Sequence, residues 1–380
     1  MRTSIKRAIS LTLFGFFVIS CHSSNSPSDV TKPAVSSGIR QALQGAKTFS
    51  DVFEKERVLQ LPSKQECLLG SCNQIVYAHG NLIAVDSRLT QQVLVFDAGT
   101  GSFRAAIGRH GNGPGEYAQP DWVAVDSMYR VLVLDGNSGR LLRYNLDGQF
   151  LSALDLSGLK LFPMRVEVGC DGLYYFMTVR STDPNETPGN MVAVVDSVGH
   201  KIRSFVPGDP LSKRLFHVAG GLALCPHGRL FVVGPFEPVI QVWNTSGKQL
   251  AQVKRHLGDL PSPFRANLLT DQVSVRDALR VLATHTTANG LFCLDPGLLI
   301  MTSASGSSYC FTFVDAGNGE VIRGALCLTP ETAGTLTSPI LGAHGNSVFL
   351  VEPPQPGAKG AAGENGANLR IAIFRLKARK

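Results

Sequence analysis

Short runs of apolar residues recur along the chain, and each ends in an Asp or Asn that is followed by a Gly three or four residues later. The clearest run, Val93–Phe96, precedes Asp97 and Gly101. Asx side chains hydrogen-bond the backbone of a turn, and Gly accepts the positive φ that tight hairpins need. The pattern therefore predicts five β-hairpins, at Asp97–Gly101, Asn145–Gly148, Asp196–Gly199, Asn244–Gly247 and Asp315–Gly319.

A second series of turn signals precedes these hairpins. Its members are Ala78–Asn81, Asp126–Tyr129, Cys170–Gly172, Cys225–Gly228 and Asp295–Gly297, and a sixth copy, Ala343–Asn346, lies near the C-terminus. Six turns of one kind and five of the other predict an all-β, six-bladed propeller with four antiparallel strands in each blade. Two stacked β-sandwiches are the alternative, but they do not explain why one series is a turn short.

The missing turn predicts how the ring closes. The last blade runs out of chain after its third strand, Leu369–Leu376, so its fourth strand must come from elsewhere. The unassigned apolar segment Arg57–Leu61 near the start of the chain is the expected donor. This closure would leave no open sheet edge.

One blade carries a recognisable phrase. It comprises Gly108–Tyr117, Pro120, Val123–Asp126, Val131–Asp135, Arg140–Tyr144 and Asp147–Gly148, and it resembles an NHL repeat. Ile83–Asp86 and Val93–Asp97 match in part. NHL-type propellers and the similar six-bladed envelope lipoproteins described as TolB-like share this phrase. The resemblance implies the propeller fold but not the activity, since such families include protein-binding, RNA-binding and enzymatic members.

The N-terminus has the plan of an export signal. Basic residues (Arg2, Lys6, Arg7) precede an apolar stretch, 8–19, that is too short to span a membrane. The following Val18–Cys21 resembles a bacterial lipobox, which implies a lipid on Cys21; an ordinary secretory signal is the alternative. The expected organisation is a signal peptide over 1–20, a lipidated Cys21 with a flexible Ser-, Asn- and Pro-rich tether over 21–48, and the propeller over 49–380. The protein would then be anchored in the envelope, with a weak preference for the outer membrane.

Charge and motifs remove several function classes. Loss of the three basic signal residues lowers the formal charge from +7 to +4, and an exported chain is not expected to bind nucleic acid. The glycines of 108–115 precede a strand rather than a helix, so they do not predict a phosphate site. The nine histidines show no metal-ligand spacing. No cofactor and no metal are therefore expected.

Cysteine positions suit an oxidising compartment. Cys67 and Cys72 could close a small disulfide, and Cys327 could approach Cys310 across a hairpin. Cys170 and Cys225 occupy equivalent turns of adjacent blades. Cys293 and Cys310 lie in strands, where buried thiols behave as small apolar groups.

Both series of turns fall on one side of the predicted ring, so the long connections fall on the other. These are 108–119, 178–190, 207–216, 255–284, 328–338 and 353–368. Long loops commonly carry function. The candidate residues are those on the first of these loops and those at the starts of the innermost strands: Arg109, His110, Glu116, Tyr117, Asp121, Trp122, Arg165 and His217. Arg would bind an anionic group, and Trp or Tyr would offer a stacking face.

Two function classes fit this reading. The first is a non-catalytic binding or scaffold propeller that holds a peptide, glycan or partner protein on the long-loop face. The second is a propeller hydrolase or lyase whose divalent ion is bound in the channel. The sequence favours binding over catalysis, since no nucleophile motif or ligand cluster is present.

Overall fold

A computed structural model of the protein describes residues 34–62, 64, 67–181, 190–208, 220–225, 228–234, 239–254, 287–305, 308–328, 340–352 and 369–377. Two helices open this part of the chain: α1 (Ser37–Gly45) and α2 (Phe49–Val52). A 3-10 turn follows later at Ser157–Leu159. Every other element is a β-strand, as the turn pattern predicts.

The strands form six four-stranded antiparallel sheets. Blade one comprises β2 (Gln74–Ala78), β3 (Asn81–Asp86), β4 (Gln92–Asp97) and β5 (Phe103–Ala106); a two-stranded parallel pair follows, β6 (Arg109–His110) and β7 (Glu116–Tyr117). Blade two comprises β8 (Trp122–Val125), β9 (Val131–Asp135), β10 (Arg140–Tyr144) and β11 (Phe150–Asp155). Blade three comprises β12 (Leu161–Val168), β13 (Tyr174–Ser181), β14 (Asn190–Val195) and β15 (Lys201–Pro207). Blade four comprises β16 (Gly221–Cys225), β17 (Arg229–Val233), β18 (Val239–Asn244) and β19 (Gln249–Lys254). Blade five comprises β20 (Thr287–Leu294), β21 (Leu298–Ser305), β22 (Ser308–Asp315) and β23 (Val321–Leu328). Blade six comprises β24 (Ile340–His344), β25 (Ser347–Glu352), β26 (Arg370–Leu376) and β1 (Phe53–Gln60).

The closure expected from the missing turn is confirmed. Strand β1 pairs antiparallel with β26, from Phe53 opposite Leu376 to Gln60 opposite Arg370, so the donor strand begins four residues earlier than the apolar pattern suggests. The innermost strands β2, β8, β12, β16, β20 and β24 contact one another in that order, and β24 returns to β2. The six-bladed propeller is therefore a closed ring.

The second-series hairpins owe their shape to the Asx residue at each start. The Asn145 carboxamide oxygen accepts from the backbone N–H of Gln149 at 2.8 Å, and the Asp196 carboxylate accepts from those of Gly199 and His200, each at 2.8 Å. Glycine is needed in these turns for a second reason. Gly148 has φ +85°, and a Cβ there would collide with the carbonyl oxygen of Ala106 in the preceding blade. These turns therefore also serve as contacts between blades.

The apolar core is divided into six layers, one between each pair of neighbouring blades. Leu82, Leu94 and Phe96 of blade one meet Phe349 and Ile371 of blade six, so the layer that closes the ring is built like the others. Because each strand buries side chains on both faces between two blades, the inner strands are almost wholly apolar. A polar residue on an inner strand is therefore a departure from the pattern.

The N-terminal segment is part of the fold, which corrects the tether expected over 21–48. Helix α1 places Leu43 and Ala46 in the apolar layer between blades five and six, and α2 adds Phe49 and Val52. Both helices contact β23. Blade six has no hairpin between its third and fourth strands, and these helices fill the corresponding place against blade five. Composition gave no sign of this because 22–37 is polar, whereas the packing side chains follow it.

The cysteines differ in part from expectation. Cys67 and Cys72 do not form the expected disulfide: both are buried thiols, with the Cys67 Sγ 3.7 Å from the Pro62 oxygen and the Cys72 Sγ 3.5 Å from the Gln74 oxygen. Burial, with a smaller effect of Asp86, raises the pKa of Cys72 to about 12. The Cys310–Cys327 disulfide is formed between directly opposed residues of β22 and β23.

A second disulfide, Cys225–Cys293, joins the inner strands of blades four and five. Cys293 and Cys310 are therefore bonded rather than free thiols.

Candidate binding face

All first-series and second-series turns lie on one side of the ring, which we call the short-hairpin side. The connections between blades and those between the second and third strands lie on the other, the long-connection side. Most of the long connections lie outside the described residues, and the described part of this side belongs mainly to blades one to three.

The connection from blade one to blade two is shaped by Glu116. Its carboxylate accepts from the Arg109 Nε at 2.7 Å and from the backbone N–H of Gly113 at 2.9 Å. These bonds, with the Gly113 bond first, hold the pKa of Glu116 below its usual range. Gly111 is needed beside it because a Cβ there would collide with the Glu116 carboxylate. The Arg109 side chain remains 80% exposed, and His110 is exposed next to it.

Tyr117 is not a surface residue, which corrects its place among the candidates. Its ring is buried in the layer between blades one and two. Its hydroxyl donates to the Ile107 oxygen at 3.0 Å and accepts from the Val93 N–H at 3.2 Å. Burial raises the pKa of this phenol. Tyr117 therefore ties the connection to blade one and is not available to a ligand.

Asp121 lies at the start of blade two and is half-buried. Its carboxylate accepts from the Gly136 N–H at 2.8 Å and from the Gln119 Nε2 at 2.9 Å. Burial raises the pKa of Asp121 to about 6, and the like charge of Asp135 adds to the effect. A carboxyl with such a pKa exchanges a proton close to neutral pH.

Trp122 and Arg165 meet across the junction of blades two and three. The Arg165 guanidinium carbon lies 4.2 Å from the centre of the Trp122 ring, a cation–π contact between two innermost strands. Trp122 also packs on the apolar layer between these blades. Arg165 lies in the middle of β12 rather than at its start, and it is 6% exposed. Burial lowers the pKa of Arg165 to about 10, so the side chain stays cationic at neutral pH.

Glu167 belongs to the same cluster but was missed from the sequence. It lies two residues after Arg165 on the same strand, so both side chains are on one face. Burial raises the pKa of Glu167 to about 7, and the charge of Arg165 opposes this rise. The signal was available: two charges alternate within an otherwise apolar inner strand.

Bulges at Pro163 shape the start of the same strand. The pairing of β12 with β13 shifts on both sides of this residue, which has no backbone N–H to donate. Phe162 is left 48% exposed as a result of its place in this irregular stretch. A Cβ on Gly136 would lie within 3 Å of both Asp121 Oδ2 and the Pro163 oxygen, so blade two packs closely here.

The structure therefore brings Asp121, Trp122, Arg165 and Glu167 to one blade junction, which we call the junction cluster. Arg109, His110 and Glu116 lie on the neighbouring connection. His217 and Cys21 lie outside the described residues. Among the described residues, no three His, Cys, Asp or Glu side chains come close enough together to hold a metal ion. In the same part of the chain, no helix is long and apolar enough to cross a membrane.

These features define a six-bladed β-propeller with a charged and aromatic cluster where two inner strands meet. The chain belongs to the family described as Domain of unknown function (DUF4934), whose model matches residues 39–251, more than half of the chain. No curated protein matches it in sequence.

Solved structures share the fold at low identity. A "putative exported protein" from Bacteroides fragilis is 18% identical with a TM-score of 0.66, and the match covers 87% of this chain and 97% of the other. A member of the DUF4221 family from Bacteroides vulgatus is 12% identical with a TM-score of 0.60, covering 86% and 98%. A virginiamycin B lyase from Staphylococcus aureus is 11% identical with a TM-score of 0.50, covering 86% and 100%. At these identities the likeness concerns the fold alone.

Proposed function

We propose that this protein is an exported, lipid-anchored binding propeller of the cell envelope, which holds a peptide, glycan or partner protein on its long-connection side. The contact of Arg165 with Trp122 is the observation that carries the binding proposal. A cation on an inner strand departs from the apolar pattern and costs desolvation free energy, so its presence needs a reason.

The charge of the junction cluster favours a ligand with an anionic group. Arg165 remains protonated at neutral pH, whereas the raised pKa values of Asp121 and Glu167 weaken the opposing negative charge there. The exposed Arg109 adds a second cation on the neighbouring connection. Trp122 and the exposed Phe162 supply ring faces for a peptide side chain or a sugar.

The export proposal rests on the signal pattern and the lipobox resemblance that ends at Cys21. A fold relative whose description includes export is consistent with it. Incorporation of labelled palmitate tests the anchor. We expect labelling of the natural chain and none of Cys21→Ser; equal labelling would refute the anchor.

A pull-down of the lipidated protein from its own envelope identifies the partner, and calorimetry then measures its affinity for variants. Arg165→Gln should weaken binding by about 1.5–3 kcal/mol, the range for a hydrogen bond to a charged group. Asn244→Ala, in a turn on the short-hairpin side, is the control and should leave the affinity unchanged. The opposite ranking would place the site on the wrong side of the ring.

Metal analysis of the purified protein tests the alternative, a hydrolase or lyase with a divalent ion in the channel. A tightly held ion in stoichiometric amount would overturn the binding proposal in favour of this enzyme.

A further inference from the structure

The exposed apolar side chains are distributed unevenly over the protein. Seven large hydrophobic residues are exposed among the described residues, and only Leu89 and Phe162 lie on the long-connection side. The other five lie in or beside the hairpins of the opposite side in blades two and three: Met128 (70% exposed), Tyr129 (52%), Leu151 (47%), Val198 (67%) and Ile202 (49%). We call these five residues the apolar patch.

An arginine connects the two blades within this patch. The Arg143 Nη2 donates to the Ser197 oxygen at 2.5 Å, and its Nη1 donates to the Ser152 Oγ at 3.4 Å. Leu151 of blade two is thereby held close to Val198 of blade three. Clustered apolar surface of this kind marks a contact surface rather than isolated exposed residues.

Tyr129 is held in position from the neighbouring blade. Its ring lies 4.9 Å from that of His79 in the first hairpin of blade one. Both residues have left-handed backbone, with φ +58° for Tyr129 and +48° for His79. A Tyr ring at the tip of a turn has an apolar body and a polar hydroxyl, which suits the boundary between water and lipid.

The N-terminal chain reaches the propeller on this same side. The backbone N–H groups of Ala34 and Val35 donate to the Asp315 carboxylate at 2.9 and 3.1 Å. Asp315 begins the hairpin between β22 and β23, which is on the short-hairpin side. Residues 22–33 separate Cys21 from this point. They span at most roughly 40 Å when extended, and about 20 Å as a random coil.

From the apolar patch and the position of Ala34 we infer that the short-hairpin side is a membrane-facing surface, whose patch inserts into the headgroup region of a lipid bilayer. The inference rests on the proposed lipid anchor at Cys21. The anchor holds this side close to the bilayer at high effective concentration, so weak apolar contacts suffice to orient the propeller. The long-connection side then points away from the membrane, towards a partner.

Hydrogen exchange of the full lipidated chain tests the orientation. The protein is compared in vesicles of phosphatidylethanolamine and phosphatidylglycerol and in detergent. We expect the vesicles to slow exchange at 126–130 and 196–202 and to leave 109–117 unchanged. Protection at 109–117, or at neither side, would overturn the inference. Protection that needs native envelope membranes and is absent with pure lipid would assign the patch to a protein partner and overturn it as well.

The mass of the same sample separates this inference from the anchor. If Cys21 carries no acyl chain, the proposed anchor fails, whatever the exchange data show. If the acyl chain is present and no hairpin is protected, only the membrane-facing surface fails.

Vesicle binding without the lipid gives an independent test. A chain of residues 22–380 keeps every described residue and lacks the signal peptide and Cys21. Replacing both Met128 and Tyr129 by Ser should weaken its vesicle affinity roughly tenfold or more, since each loses apolar area that lipid would cover. Leu89→Ser is the matched control, because Leu89 is 69% exposed on the opposite side, and its affinity should not change. Val198→Ser repeats the test away from the left-handed turn. Equal affinities of all four chains would refute the proposed surface.

Discussion

Phe49 offers the sharpest test of the N-terminal helices as part of the fold. Its ring centre lies 4.7 Å from that of Phe53, 5.2 Å from that of Phe311 and 5.4 Å from that of Phe374, and the residue is 5% exposed. One ring thus joins α2 and β1 to blades five and six. Phe49→Ala would leave a cavity among these three rings. Such substitutions lower the free energy of unfolding by about 3–5 kcal/mol.

Urea unfolding measures this loss as a lower transition midpoint at an unchanged slope. Phe162→Ala is the matched control because Phe162 is 48% exposed on the opposite side of the ring. It should cost less than about 1 kcal/mol, as surface substitutions usually do. If the two variants lose the same stability, the helices are not part of the cooperative fold, and the expected tether over 21–48 would describe the chain better.

Three further predictions concern contacts that hold the ring or the site. Arg40→Met should lower the free energy of unfolding by about 1.5–3 kcal/mol, because it removes the ion pair at 2.6 Å to the buried Asp315; a loss below 0.5 would refute this role. Peptide mapping without reductant should join Cys225 to Cys293 and Cys310 to Cys327, while Cys67 and Cys72 resist alkylation until the protein unfolds; rapid alkylation of either thiol would contradict their burial. The pKa of Asp121 is raised by burial to about 6, above the ordinary 3.8, so the folded protein binds more protons than the unfolded chain in this window. Stability should therefore fall as pH rises through it, by at most about 3 kcal/mol, and Asp121→Asn should flatten this part of the profile; an unchanged profile would contradict the shift.

Local turn chemistry made the architecture predictable. Each Asx residue at the start of a second-series hairpin bonds its own turn, and each following Gly supplies the positive φ, so the spacing alone marks the blades. The count of turns then predicted the closing strand, because a propeller blade without a fourth strand would leave an edge open.

Long-range contacts explain what the sequence could not show. Cys225 and Cys293 are 68 residues apart and become neighbours only because their blades are adjacent. Helix α1 is a short helix that depends on tertiary packing, so its residues show little by themselves. Tyr117 looks like a loop residue in sequence, yet its hydroxyl bonds Ile107 and Val93 in the core. The contact of Trp122 with Arg165 likewise depends on where two strands from different blades meet.

Photocrosslinking in the living envelope tests the central claim that the long-connection side binds a partner. A photoreactive amino acid is placed at Phe162, beside the junction cluster, and in a second chain at Val198, on the apolar patch. The account predicts a discrete adduct with one protein or glycan from Phe162, lost when Arg165→Gln is added, and adducts with lipid alone from Val198. A discrete protein adduct from Val198 with none from Phe162 would contradict it.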